Sequence, residues 1–203
     1  MRHLVVLFLL ASACTRAPIQ LPGIPLDLDP SLAVQARHGN AGHACPVEGG
    51  VYSARHVFLN VYGGYEGATW SQIQERDGEL VVLNGRLEVI GENAFFDMVA
   101  LGLKDVHERA ITYLPKGTAQ VGEDVFWFEY DLRTQKNALR SRRRVAKVLR
   151  VVAHHYILDA PPTSGSSGGC LINGKGEAVG LVVSRWDTLD KKSVGAAILF
   201  PEL

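Results

Sequence analysis

The 203-residue chain is long enough for one domain with a substantial core. Its charges cancel, 21 basic against 21 acidic, so neither a general nucleic-acid-binding role nor a membrane-surface role gains support. Hydrophobic residues make up an ordinary 47%, while 21 glycines and 9 prolines predict many turns between short elements.

The chain opens with Met1-Arg2-His3, a short apolar run from Leu4 to Leu10, and the small residues Ala11-Ser12-Ala13. Residues 1–13 therefore read as a secretory signal peptide, with an apolar core too short to span a bilayer as a helix. Cys14 follows at once, and Leu10-Ala11-Ser12-Ala13-Cys14 resembles a bacterial lipobox, in which the cysteine is acylated and becomes the mature N-terminus. Either way the protein is expected to be exported: periplasmic or membrane-anchored as a lipoprotein, otherwise secreted. Residues 14–30 carry prolines at 18, 22, 25 and 30, which discourage helix and sheet alike. They read as an extended tether, which would hold the domain off a membrane were Cys14 acylated.

From residue 31 onward no long helical period appears. Short apolar or β-branched runs recur instead, among them 51–53, 80–83, 86–90, 98–101, 125–130, 145–152, 156–158, 178–183 and 196–199. Glu48-Gly49-Gly50, Asn84-Gly85 and Asn173-Gly174-Lys175-Gly176 between such runs predict hairpin turns. Many short strands joined by tight turns mean an antiparallel all-β domain. The basic stretch Arg140-Ser141-Arg142-Arg143-Arg144, with Lys147 and Arg150, reads as a solvated entry to a strand with alternating exposed cations. His154-His155 has no spaced third ligand, so no metal site is expected.

The most informative stretch is Pro162-Thr163-Ser164-Gly165-Ser166-Ser167-Gly168-Gly169-Cys170-Leu171-Ile172-Asn173. Its glycines permit a tight turn, and a hydroxyl on such a turn beside unhindered backbone N–H groups suits acyl transfer to serine. A serine hydroxyl needs a base, for which a histidine titrating near neutrality is suited, and that histidine needs a carboxylate to fix its tautomer. His56 lies directly after an apolar strand and small residues. Asp97 sits between Phe95-Phe96 and the apolar run Met98-Val99-Ala100-Leu101, predicting a poorly hydrated carboxylate that requires a partner. Asp77-Gly78 reads instead as a solvated turn.

Gly165-Ser166-Ser167-Gly168-Gly169 resembles the Gly-x-Ser-Gly-Gly of trypsin-like serine proteases. Val51-Tyr52-Ser53-Ala54-Arg55-His56-Val57 is similar to the family's histidine segment, and Asp97-Met98-Val99-Ala100-Leu101 to its acid segment. The order His, Asp, Ser is the chymotrypsin order. Within the family, the glycine-serine motif and Gly195-Ala196-Ala197-Ile198 most resemble the protease domain of the bacterial HtrA group. No peptide-binding module follows Leu203, so simple processing or degradation is expected rather than regulated quality control.

The resemblance implies an all-β fold of two antiparallel six-stranded β-barrels, about 31–118 and 119–203, with the active site in the cleft between them. It implies a serine endopeptidase that needs no cofactor and cleaves protein or peptide substrates. His56, Asp97 and Ser167 would be catalytic, and the amides of Gly165 and Ser167 would form the oxyanion hole. Pro162 and Ser164 on one side, and Ser184, Arg185 and Trp186 on the other, would bind substrate. Prolines 161 and 162 where trypsin carries an acid, and Trp186 narrowing the pocket, imply small or medium apolar residues before the cut. With Cys14 set aside, Cys45 and Cys170 remain, on segments that the family's architecture brings together. They would either pair as a disulfide across the two halves or pack as buried thiols. Two alternatives stand beside the peptidase: a catalytically inactive binding module on the same fold, and an envelope lipoprotein whose basic patch carries the biology.

Overall fold

The computed structural model describes residues 28–60, 62–65, 67–104, 111–130, 141–187 and 192–200. The signal peptide, Cys14, Arg140 and most of the proline-rich segment lie outside them. Among the described residues twelve strands and one helical turn form: β1 (Leu32–Ala36), β2 (Ala41–Val47), β3 (Gly50–Ala54), α1 (Arg55–Phe58), β4 (Ala68–Arg76), β5 (Glu79–Asn93) and β6 (Met98–Lys104). There follow β7 (Asp124–Tyr130), β8 (Ser141–Val152), β9 (His155–Leu158), β10 (Cys170–Asn173), β11 (Ala178–Asp187) and β12 (Ser193–Leu199). They close into two six-stranded barrels with every ladder antiparallel. The orders are β1-β2-β3-β6-β5-β4 and β10-β11-β12-β9-β8-β7. Closure pairs every strand on both sides, although β10 covers β11 only as far as Leu181 and Ser184–Asp187 pair with β12 alone.

Strand alternation builds three apolar clusters. Leu32, Val34, Phe58, Trp70, Leu87 and Val99 fill the first barrel. On β7, Val125 and Trp127 point into the second barrel, where they meet Val148, Tyr156, Leu158 and Val182. Phe126 and Phe128, on the other face of the same strand, enter a third cluster with Cys45, Val47, Met98, Leu114, Cys170 and Ile172. That cluster draws residues from both barrels, so a period-two pattern on one strand seals one barrel to the other. Cys45 on β2 and Cys170 on β10 form a disulfide inside it, with Cα atoms 4.9 Å apart.

One expected turn is elsewhere. Asn84-Gly85 lies within β5, with Asn84 opposite Ser71 and Gly85 opposite Trp70. The hairpin instead turns at Asp77-Gly78, where φ is 54° and 80°, the paired positive values that a type I′ turn requires. The two dipeptides have similar turn chemistry, so burial decides between them. Turning at 77–78 sets Ala68 against Leu87 and keeps both, with Trp70, in the core. The turns after β2 and β10 fall where expected. Nor does the extended segment stay free to its end, because Pro30 is buried and its carbonyl accepts from Gln72 Nε2 at 2.6 Å. The basic stretch also packs more than expected. The Arg143 guanidinium stacks over Phe126 at 4.2 Å, and its burial lowers the pKa; Lys147 pairs with Asp124 at 3.0 Å.

Candidate active site

β3 ends at Ala54, and α1 turns the chain so that His56 faces outward while Val57 and Phe58 anchor the turn in the first core. Asp97 sits in the tight turn joining β5 to β6, with φ at 51°, a left-handed conformation rare outside glycine. Its N–H donates to Ala94 O at 3.4 Å, and three bonds that it accepts hold it there. Its carbonyl accepts from Arg55 N at 2.8 Å, Oδ1 from His56 N at 3.0 Å, and Oδ2 from His56 Nδ1 at 2.6 Å. A carboxylate can only accept from the ring, so the proton is on Nδ1 and the Nε2 lone pair is left to act as a base. The pair is more open to water than the sequence suggests. The side chain of His56 is 46% exposed and that of Asp97 35%, because Phe95 is 86% exposed and does not cover the carboxylate.

Ser167 occupies a turn squeezed between the barrels. His43 N on β2 donates to Ser167 O at 2.8 Å, and Gly168 N donates to Val182 O on β11 at 2.7 Å. A Cβ on Gly168 would meet His43 O, Ser53 Oγ and Ala54 N within 3.0 Å, at a φ of 84° that disfavours side chains anyway. Glycine is therefore demanded here by close backbone approach. Among the described residues, the amides of Gly165 and Ser167 have no acceptor within the chain, whereas that of Ser166 donates to Thr163 O at 3.2 Å.

The three catalytic candidates are not joined into one hydrogen-bonded row. Ser167 Oγ donates to Val183 O at 3.0 Å rather than to His56. Val183 sits at a bulge where β11 slips register against β12 between Val182 and Ser184. The bulge frees its carbonyl from the ladder. A bulge of this kind leaves no clear mark in a run of apolar residues.

On the expected substrate side, Ser164 is exposed and Pro162 packs against Gly195. Ser184 and Arg185 pair with Ala196 and Gly195 on β12. Trp186 pairs through its backbone with Val194, and its side chain lies outside the described residues. One residue missed in the sequence is Glu129. It is buried beneath this segment, where Oε1 accepts from Thr163 N and Trp127 Nε1, each at 3.1 Å. Nothing in the pattern of β7 except one acid among aromatics could have signalled it. Among the described residues no group of three or more His, Cys, Asp or Glu could hold a metal.

No protein-family profile and no curated protein matches the sequence. Solved structures do resemble it. The crystal structure of Deg5 superposes with a TM-score of 0.66 at 16% identity, covering 84% of this chain and 83% of that one. The apo MamO protease domain from Magnetospirillum magneticum gives 0.61 at 17% identity, covering 84% and 92%. Rv3671c from M. tuberculosis H37Rv, in the inactive form of a serine-to-alanine mutant, gives 0.60 at 15% identity, covering 83% and 80%. The chain thus has a two-barrel, chymotrypsin-like fold in common with these structures.

Proposed function

We propose that the protein is a serine endopeptidase that acylates on Ser167. The observation that carries the proposal is the 2.6 Å His56–Asp97 contact, which fixes the ring tautomer with Nε2 as base on the fold shared with protease domains. Substrate binding turns the Ser167 hydroxyl from the Val183 carbonyl to His56 Nε2. The imidazole takes the proton as Oγ attacks the scissile carbonyl. The oxyanion forms where the uncommitted amides of Gly165 and Ser167 can donate to it. His56 then protonates the leaving amine, and water reverses the sequence to free the acyl group. Peptide lies beside β11 near Ser184 to Trp186, and the Pro162–Ser164 segment walls the site for the residue before the cut.

The protein acts after export, with Cys14 as a lipid anchor when acylated; mass measurement of the membrane-extracted N-terminus tests this. A second reading, a binding module without activity, draws on the resting position of Ser167 Oγ. An organophosphate probe separates the two. The peptidase is expected to be labelled stoichiometrically on Ser167 and to cleave casein, with both lost in Ser167→Ala. A folded protein that neither labels nor cleaves would overturn the peptidase reading and leave the two non-catalytic alternatives, the binding module and the envelope lipoprotein.

A further inference from the structure

His43 is fully buried and lies outside the proton path from Ser167 to His56. Its ring spans from the nucleophile turn to the segment ahead of β1. Nδ1 donates to Gly165 O at 2.7 Å, and Nε2 lies 3.2 Å from Asp29 Oδ2, at ion-pair distance but off hydrogen-bond alignment. The other oxygen of Asp29 accepts from Ser31 N at 2.8 Å, and Ser31 Oγ accepts from Cys170 N at 3.1 Å. Residues 29–31 thus touch the nucleophile turn on both sides of Ser167, at Gly165 through His43 and at Cys170 directly.

We propose that His43 is a positioning residue for the oxyanion donors, itself oriented by Asp29. The reason lies in one peptide plane. The Gly165–Ser166 peptide is held at both ends, its carbonyl by His43 and its N–H by Thr163 O. A planar peptide pinned at both ends cannot rotate, so the amides that flank it, of Gly165 and Ser167, keep their directions. Gly165, with φ at 92°, has no Cβ to resist rotation and needs that external clamp. Ring orientation matters as much as presence, because the Nδ1–H must point along the Gly165 carbonyl. The Asp29 carboxylate beside Nε2 disfavours the flipped ring, which would set a carbon there instead. Residues just ahead of β1, in what reads as a tether, become part of the catalytic scaffold.

The effect on turnover rests on the peptidase reading; the clamp itself does not, so two measurements are paired. The first is amide hydrogen exchange. His43→Leu and Asp29→Asn are expected to speed exchange at Ser166, while Val99 and Val148 in the barrels keep wild-type protection. His43→Asn, whose side-chain amide can replace Nδ1–H, is expected to restore it. Unchanged protection at Ser166 in Asp29→Asn and His43→Leu, or loss of barrel protection in both, would overturn the proposal. The second is turnover of a peptide ester per titrated active site. His43→Leu is expected to lower kcat by about a hundredfold, the scale of losing one oxyanion donor, with KM nearly unchanged and His43→Asn recovering most of the loss. Unchanged kcat per site in an active enzyme would overturn the catalytic part. A wild type that never turns over refutes the peptidase reading, and exchange then decides the clamp alone.

Discussion

Asp97 keeps a backbone conformation that few side chains adopt, and its bonds to Arg55 and His56 hold it there. Replacing the carboxylate by an amide keeps the size but lets the ring turn to its other tautomer. Asp97→Asn is therefore expected to lower kcat by about four orders of magnitude, with circular dichroism and Tm close to wild type. Steady-state kinetics on a peptide ester would measure the loss, and a fall of less than tenfold would show that the carboxylate does not orient the base. Gly168 makes a second residue-scale prediction. A methyl group there must displace the backbone of His43, so Gly168→Ala is expected to destabilise by several kcal/mol, as overpacking and positive φ both predict. Chemical denaturation would show it as a lower midpoint. Both residues were legible in the sequence because the glycine-serine turn and the acid before an apolar run are local signals. The contact of Ser167 with the Val183 carbonyl and the role of Glu129 were not, because each joins segments far apart in sequence.

Among the elements, the strands that pair by local alternation were readable, and the ones fixed by partners were not. β4 alternates Trp70, Gln72 and Gln74 and gives no strong strand signal, yet it is fastened along its length to β5. Asp77-Gly78 was readable as a turn, but that Asn84-Gly85 is not one depends on where Trp70 must go. The first residue of β9 carries a pH-dependent prediction. The pKa of His155 is lowered, first by burial and then by the neighbouring His154. The unfolded chain therefore binds this proton more readily, and stability falls as pH drops below about 6.5. Urea midpoints at pH 5.0 and 7.5 would show it, and His155→Gln is expected to shrink the difference between them. An unchanged difference would mean that other groups account for the acid sensitivity.

At the scale of the whole molecule, two barrels share one apolar seam, and the Cys45–Cys170 disulfide crosses it three residues beyond Ser167. The link closes a sequence separation of 125 residues. Replacing both cysteines by serine is expected to cost about 2–5 kcal/mol, read as a lower denaturation midpoint. A midpoint equal to wild type would mean that the seam holds without the link. The two-barrel architecture was legible only through three motifs in the right order, because composition and turn signals alone stop at an antiparallel β domain. Peptidase activity requires His56 to act on Ser167 although the resting hydroxyl donates to Val183 O. Its most direct test is pre-steady-state hydrolysis of an activated peptide ester with intact-mass detection. A burst of about one acyl group per chain is expected, located on Ser167, absent in Ser167→Ala and slowed by several orders of magnitude in His56→Ala. A folded wild-type protein that shows no acyl adduct, or one acylated equally fast without His56, would contradict it.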